Sequence, residues 1–175
     1  MTTSSGIRQP GTEATIVLRK YLDALTSGDL DAIAASFAED ATWSIHGTLP
    51  LSGTRHGRAA IMKFLISAGS LYQPGTQTFT FGQVTAEADR AVLEWRVRGT
   101  ASATGREYDN AYCGVFRVRH GRIAEVREYL DSLHAAQVLF CDTPSQGPAR
   151  TVPRRTDPRD EPGAAAVSVA APDGC

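Results

Sequence analysis

Hydrophobic and polar residues alternate with a period of two along residues 106–119, which predicts a long β-strand. A second run of this kind, residues 123–130, follows after His120-Gly121. Glycine tolerates the positive φ of a tight turn, so the two runs predict a hairpin that closes on Asp131. One face of the first strand mixes polar and apolar side chains, which is more typical of a pocket wall than of a closed core: Tyr108, Asn110, Tyr112, Gly114, Phe116 and Val118.

Upstream of the hairpin, apolar residues recur at steps of three and four, which predicts amphipathic helices. The first helix is predicted to start near Thr12 and to stop at Ser27-Gly28. Asp29 is expected to cap a second helix, whose apolar face ends with Phe37. A short strand over residues 41–45, a loop over 47–57 and a third helix after Gly57 complete this half of the chain.

Two further strands, residues 78–86 and 91–103, are separated by a link short enough for a hairpin. A last helical segment is predicted at residues 132–140. Helices followed by a run of strands indicate an α+β fold, with N-terminal helices packed on a curved, mixed, mostly antiparallel sheet. Such a sheet forms a cone with an internal pocket, and a concave, mostly apolar cavity is the usual site for a small molecule.

The composition separates one folded domain, residues 12–141, from two polar ends. Residues 1–11 are rich in Ser, Thr, Gly and Pro, and residues 142–175 carry six prolines and few large apolar side chains. Both ends are therefore predicted to be disordered.

The overall charge and the cysteines narrow the class of function. A net charge of −1 gives no electrostatic reason to expect binding to nucleic acid or to an anionic membrane. No apolar run is long enough to span a bilayer, and the N-terminus lacks a signal-peptide core. The three cysteines are far apart and have no metal-ligand spacing, so we expect no metal site and a reducing, cytoplasmic location: Cys113, Cys141 and Cys175.

Several segments resemble the nuclear transport factor two–like superfamily, in particular its SnoaL-like and ketosteroid-isomerase-like members. They are residues 21–25, 27–30, 37–43, 57–61, 115–123 and 128–131. The resemblance covers nearly everything outside the two ends, and it implies a cone-shaped fold that works without a cofactor. It does not specify an activity, because this fold hosts isomerases, cyclases, hydrolases and non-catalytic modules.

Compared with ketosteroid isomerases, the chain keeps one expected site residue and lacks two. Their tyrosine on the first helix, which stabilises a dienolate, is matched by Tyr21. Their catalytic base is a carboxylate just after the short strand, where this chain has Ile45. Their second oxyanion donor, a protonated aspartate, falls at Cys113 or Gly114. The resemblance therefore does not imply steroid isomerisation.

Compared with limonene-epoxide-hydrolase-like members, the match is again partial. Those enzymes position water with Tyr and Asn on the short strand, where this chain has Trp43 and Ile45. They also need an Arg–Asp pair on a middle strand, where Arg96 is followed by Arg98. Asp131 matches their carboxylate at the end of the last strand, and SnoaL-like polyketide cyclases also use an inward aspartate.

These comparisons lead to the first hypothesis, a cofactor-independent cyclase or isomerase that acts on a ketone-bearing apolar metabolite of secondary metabolism. Asp131 is the expected acid/base, because burial at the base of a pocket would raise its pKa towards neutrality. Tyr21 and Asn110 would stabilise the enolate oxygen, and His46 could carry a second proton. The other residues expected to bind substrate are Trp43, Ile45, Phe64, Trp95, Tyr112 and Glu128.

Each assignment has a structural alternative. Asp131 could serve only as a helix N-cap, Asn110 as part of a buried hydrogen-bonded network, and His46 as a surface residue. At the level of function, the alternatives are a non-catalytic ligand-binding or accessory module and an epoxide-hydrolase-like enzyme.

The sequence also predicts a homodimer through the outer face of the sheet. If the strands are regular, Val115 and Val126 face away from the polar wall, and a two-fold partner would bury them. The alternative is a monomer whose outer face is simply polar.

Overall fold

Two capped helices open the part of the chain that the computed structural model describes, residues 11–140. Helix α1 spans Glu13–Ser27; the side chain of Thr12 accepts a hydrogen bond from the backbone N–H of Thr15, and the helix ends at Gly28 with a φ of 70°. Helix α2 spans Leu30–Ala35 and is capped by Asp29, as predicted. The predictions of disorder for residues 1–11 and 142–175 concern segments that lie almost wholly outside the described residues.

The short strand predicted from the sequence is longer than expected. Strand β1 spans Phe37–Ile45, so Phe37 begins a strand instead of ending the apolar face of α2. Strand β2, Gly53–His56, pairs antiparallel with β1 inside the segment predicted to be a loop. That segment has Gly, Pro and charged residues without alternation, so its strand depends on pairing with β1. Helix α3 then spans Arg58–Gly69.

The second half of the chain follows the predicted order. Strands β3 (Thr78–Glu87), β4 (Arg90–Thr100), β5 (Glu107–Arg119) and β6 (Arg122–Leu130) precede helix α4 (Ser132–Leu139). The sheet order is β2-β1-β6-β5-β4-β3, and only the β1–β6 pair is parallel among these strands. This α+β arrangement, with helices and a mixed, mostly antiparallel sheet that does not close, confirms the predicted fold class.

The two faces of the sheet differ sharply, and one residue lies on the face opposite to the prediction. Along β4, Leu93 and Val97 are buried whereas their neighbours are exposed. Val126 was expected to face outward, but it is fully buried and lies opposite Phe116. The cause is a register shift, because Arg117 pairs with Glu125 whereas Val118 pairs with Ile123. This extra residue in β6 is a β-bulge, which reverses the face of everything beyond it.

The buried side chains form two clusters on the inner face. One lies under α1 and α3 and contains an aromatic group of Tyr21, Phe37 and Trp43. The other joins Tyr108 to the buried residues of α4. No helix among residues 11–140 is long and apolar enough to cross a membrane.

Candidate functional site

A cavity of about 170 Å³ lies on the inner face of the sheet, under α1, α3 and α4. Its wall is predominantly apolar and aromatic, with side chains from the helices and from the strands of the sheet. The polar side chains in the wall are few: Tyr21, Tyr72, Gln77, Tyr112 and Glu128. A concave apolar site with a small number of polar groups is the usual form of a small-molecule site.

Glu128 is the one carboxylate in the cavity wall among the described residues. It lies on the inner face of β6 and is 7% exposed. The indole Nε1 of Trp43 donates a hydrogen bond to its Oε2 at 2.9 Å, whereas its Oε1 has no hydrogen-bond partner within residues 11–140. Burial raises the pKa of Glu128 to about 7, although the Trp43 hydrogen bond and the charge of Arg55 lower it. The carboxyl group can therefore hold or release a proton near neutral pH.

Arg55 supplies the positive charge that lowers the pKa of this carboxyl group. It lies on β2, with its guanidinium carbon 4.2 Å from the centre of the Phe64 ring. Its Nη1 and Nη2 donate to the backbone carbonyls of Gly53 and Leu51, at 3.0 and 2.5 Å. The guanidinium is thus held by backbone and an aromatic ring, and it acts on Glu128 through charge. Sequence reasoning missed Arg55, because it lies in the segment predicted to be a loop.

Opposite Glu128 on β5 lies Gly114, and the absence of a side chain there shapes the cavity floor. A Cβ atom at this position would lie 2.7 Å from Cε2 of Phe116 and 2.9 Å from Cζ3 of Trp95. Both distances are far below van der Waals contact, so a larger residue would displace the rings. Glycine therefore lets two aromatic rings cross the strand next to the carboxylate.

Tyr21 contributes a hydroxyl group from α1 to the same cavity. Its ring packs edge-on against Phe37, with 5.4 Å between ring centroids, and it is 3% exposed. Burial, together with the charge of Glu128, raises the pKa of Tyr21 well above its ordinary value. The phenol is thus neutral at physiological pH, and it makes no hydrogen bond to any residue of the described part. Its proton is free for a ligand oxygen.

Asn110 is buried on the inner face, and its amide nitrogen makes two hydrogen bonds within the protein. Its Nδ2 donates to the hydroxyl of Tyr108 at 2.8 Å and to the backbone carbonyl of Asp131 at 2.9 Å. The hydroxyl of Tyr108 lies 2.6 Å from that of Tyr112, which lines the cavity and stacks on Trp95. Asn110 is absent from the cavity wall, so it orients other side chains.

Asp131 does not lie at the base of the pocket, and the expectation that it is buried there is wrong. It is exposed and is the N-cap of α4, where its Oδ1 accepts a hydrogen bond from the backbone N–H of His134 at 3.0 Å. The strand ends at Leu130, so the chain has already turned towards the helix at Asp131. The carboxylate accepts a hydrogen bond from a backbone N–H in the first turn of that helix, which has no partner within the helix.

His46 also lies outside the cavity wall. It is exposed after the end of β1, and its ring stacks on Tyr129 with 5.2 Å between ring centroids. Tyr129 neighbours Glu128 in β6 and therefore points to the opposite face of the sheet. His46 is thus separated from the carboxyl group of Glu128 by the sheet.

The arginines considered for an epoxide-hydrolase-like site lie on the outer face. Arg96 and Arg98 both pair with Asp109 on the neighbouring strand, and all three side chains are substantially exposed. Neither arginine lines the cavity. Within residues 11–140, no three His, Cys, Asp or Glu side chains come together in a way that could hold a metal ion.

Most of the side chains named from the sequence nevertheless come together. Seven of them line the single cavity described above: Tyr21, Trp43, Ile45, Phe64, Trp95, Tyr112 and Glu128. Their roles remain predictions. The wall also contains Tyr72, which sequence reasoning missed because it stands alone before the turn at residues 73–75.

The fold and the inner cavity define an NTF2-like α+β protein. The chain belongs to the SnoaL-like domain family, whose model matches residues 18–126. This confirms the resemblance drawn from the sequence. No curated protein matches the chain.

Solved structures agree with this assignment. An NTF2-like protein from Burkholderia xenovorans LB400 is 25% identical, with 73% of this chain and 95% of that one covered and a TM-score of 0.62. Bal32a, from a soil-derived mobile gene cassette, is 27% identical, with 70% and 92% covered and a TM-score of 0.62. An NTF2-like protein of unknown function from Burkholderia pseudomallei K96243 shares the fold at 19% identity, with 75% and 100% covered and a TM-score of 0.66.

Proposed function

We propose that this protein is a cofactor-independent enzyme that moves a proton next to the ketone of an apolar metabolite, as an isomerase or a cyclase. The observation that carries the proposal is Glu128, a buried carboxyl group with a pKa of about 7 in the wall of an apolar cavity. A general acid/base works best when its pKa lies near the working pH. We assign the acid/base role to Glu128 and not to Asp131, since Asp131 caps a helix at the surface.

In the proposed reaction, ionised Glu128 takes a proton from the carbon next to the carbonyl. The proton goes to Oε1, and Trp43 keeps the carboxylate oriented through its bond to Oε2. The electron pair of the C–H bond forms the C=C bond of an enolate, and the negative charge moves to the carbonyl oxygen. Glu128 returns the proton to another carbon in an isomerisation. In a cyclisation, the enolate carbon attacks a second carbonyl and Glu128 protonates the new alkoxide.

Tyr21 is the proposed donor to the enolate oxygen. Its neutral phenol proton has no partner in the described part of the protein, so it can be used for charge that develops during the reaction. A preorganised donor in a site that excludes water stabilises such charge strongly.

A second candidate is a ligand-binding module without chemistry of its own. By the resemblance, Ile45 and either Cys113 or Gly114 stand where ketosteroid isomerases carry carboxylates, and the described cavity wall has a single carboxylate. A binding module would hold an apolar ligand and leave it unchanged.

Exchange of hydrogen for deuterium in 2-tetralone separates the two candidates. We expect the protein to accelerate exchange next to the carbonyl in D₂O, followed by NMR. The rate should rise with pH through about 7 and then level off, because only the ionised form of Glu128 accepts a proton. Bound ketone without acceleration would favour the binding module, and a flat profile between about pH 5.5 and 8.5 would contradict Glu128 as the base.

We also propose that two copies pair through the outer face of the sheet. Val92 lies opposite Val115 there, and Val115 lies opposite Arg127. Both valines are at least partly exposed, and ion pairs between exposed side chains flank them. A partly apolar sheet face is costly to leave in water and is suited to a two-fold contact.

Light scattering at micromolar concentration tests this pairing. We expect a mass near twice the 18.7 kDa of one chain. Val115→Arg should convert the protein to single chains, since it places an unpaired charge in the middle of the proposed contact. Ile66→Arg, at a 58% exposed position on α3, is the matched control and should leave the mass unchanged. A mass of one chain for the unmodified protein would overturn the dimer.

A further inference from the structure

A second group of polar side chains lies in the cavity region away from Glu128. It consists of Tyr72, Tyr108 and Tyr112, here called the tyrosine cluster, with Asn110 beside it. Glu128 pairs with Gly114 on β5, and Asn110 lies four residues further along the same strand. Tyr112, which lines the cavity, lies two residues from Gly114, so at about 3.3 Å per residue the two polar groups are roughly 7 to 13 Å apart along the sheet.

The position of Tyr72 is built into the fold. A Cβ atom at Gly99 would lie 2.8 Å from Cδ1 of Tyr72, so glycine at that position allows the ring to lie against β4. The ring centroids of Tyr72 and Tyr108 are 5.7 Å apart in an edge-to-face arrangement. Tyr72 and Tyr112 both line the cavity, whereas Tyr108 is 1% exposed and lies behind them.

The hydroxyl groups of Tyr72 and Tyr112 line the cavity and can donate hydrogen bonds there. The Nδ2 group of Asn110 donates a hydrogen bond to the hydroxyl oxygen of Tyr108, so the cluster accepts one hydrogen bond from a neighbouring side chain. The hydroxyl of Tyr108 is buried and lies 2.6 Å from that of Tyr112, to which it can donate. The hydroxyl of Tyr72 interacts with those of Tyr108 and Tyr112, and a hydroxyl group can rotate to donate to a ligand oxygen instead. Since Tyr72 and Tyr112 line the cavity, such a hydroxyl group is available to a ligand there.

We propose that the tyrosine cluster is a second polar subsite, which donates a hydrogen bond to a carbonyl oxygen at the end of the ligand far from Glu128. The proposal deepens the proposed function and rests on it only for the reaction at the Glu128 end. The ligand it predicts is an elongated apolar molecule with oxygens near both ends.

The size of the cavity limits the ligand further. An apolar cavity of about 150 Å³ is known to hold one benzene ring. The cavity here, about 170 Å³, opens to the surface beside the half-exposed Phe79, which also lines it. We therefore commit to a ligand of two fused rings. Tyr112 contacts the ligand oxygen or shares that role with Tyr72, and Tyr108 and Asn110 are positioning residues.

A pair of matched probes tests the subsite. 2-Acetylnaphthalene carries a carbonyl, and 2-isopropylnaphthalene has the same shape without an oxygen. We expect the ketone to bind about three- to tenfold more tightly, which corresponds to one neutral hydrogen bond. The dissociation constants are measured by calorimetry, and the variants described next separate a bond to the tyrosine cluster from a bond to Tyr21.

Three variants locate the bond. Tyr72→Phe with Tyr112→Phe should remove the preference for the ketone and leave the affinity for the hydrocarbon unchanged, because both rings remain. Tyr21→Phe, at the Glu128 end, should keep the preference. Tyr108→Phe should reduce the preference for the ketone and leave the affinity for the hydrocarbon unchanged. A general structural defect would instead weaken the binding of both probes. A preference that survives the double substitution, or that is lost in Tyr21→Phe, would overturn the subsite.

A measurement on the unmodified protein covers the case in which the double variant does not fold. The carbonyl stretching band of bound 2-acetylnaphthalene should lie at a lower frequency than in hexane, both in the unmodified protein and in Tyr21→Phe, since a hydrogen bond donated by the tyrosine cluster weakens the C=O bond. A band at the hexane frequency, equal affinities for the two probes, or no binding of either would contradict the proposal. None of these results depends on proton transfer, so the subsite and the role of Glu128 can fail independently.

Discussion

Replacing Glu128 by glutamine is expected to lower the rate of 2-tetralone exchange by about 10²- to 10⁴-fold, the range usual for the loss of a positioned acid/base. Glutamine has nearly the same shape, and its amide oxygen can still accept the hydrogen bond from Trp43. The substitution removes only the proton-accepting carboxylate. The affinity for the ketone should therefore change little while the exchange rate falls to that of the buffer.

Asp131→Asn is the matched control. Asparagine is as good a helix N-cap as aspartate, so α4 should keep its start. This variant also removes one carboxylate, but one outside the cavity wall, and it should retain the exchange rate of the unmodified protein. If Asp131→Asn lost activity and Glu128→Gln kept it, the acid/base role would return to Asp131.

The same Glu128→Gln variant is expected to be more stable than the unmodified protein above neutral pH. The folded protein keeps the proton of Glu128 up to about pH 7, whereas an unfolded chain releases it near the ordinary value of 4.5. Between these values the folded state binds more protons, so the free energy of unfolding falls as pH rises, and the loss is complete above about 7. The difference between the two pKa values corresponds to roughly 3 kcal/mol.

Urea unfolding of both proteins at several pH values checks this expectation. The difference in unfolding free energy between Glu128→Gln and the unmodified protein should grow from about pH 4.5 to about 7 and stay constant beyond. Because all other titrating groups are shared, their contributions cancel in the difference. A difference that is independent of pH would show that Glu128 titrates normally. The unmodified protein would then carry no stability cost at its proposed acid/base.

The local elements could be predicted from the amino-acid sequence alone. Helix starts could be predicted because Thr12 and Asp29 cap through contacts within three residues. The strands of the second half could be predicted because alternation records which side chains are buried, as the pattern of β4 shows. The strand order, by contrast, follows from pairing over long distances.

Features that depend on strand register and pairing follow from the tertiary structure and could not be predicted locally. β2 forms only because β1 pairs with it, so it brought Arg55 towards Glu128 without any local signal. The bulge in β6 turned Val126 inward, and no alternation pattern reveals one extra residue in a strand.

The site depended on the same distinction. The aromatic side chains named from the sequence line the cavity, because large side chains on the inward face of a curved sheet lie next to it. The sequence analysis placed Asp131 at the base of the pocket, whereas the buried carboxylate is Glu128. The two residues are only three positions apart near the end of one strand, so the pattern of residues does not distinguish them. Only the three-dimensional fold decides that the strand ends at Leu130, which leaves Asp131 to cap a helix in solvent and Glu128 opposite Gly114 inside the cone. Burial, and with it the raised pKa, is a property of that packing and not of the residue.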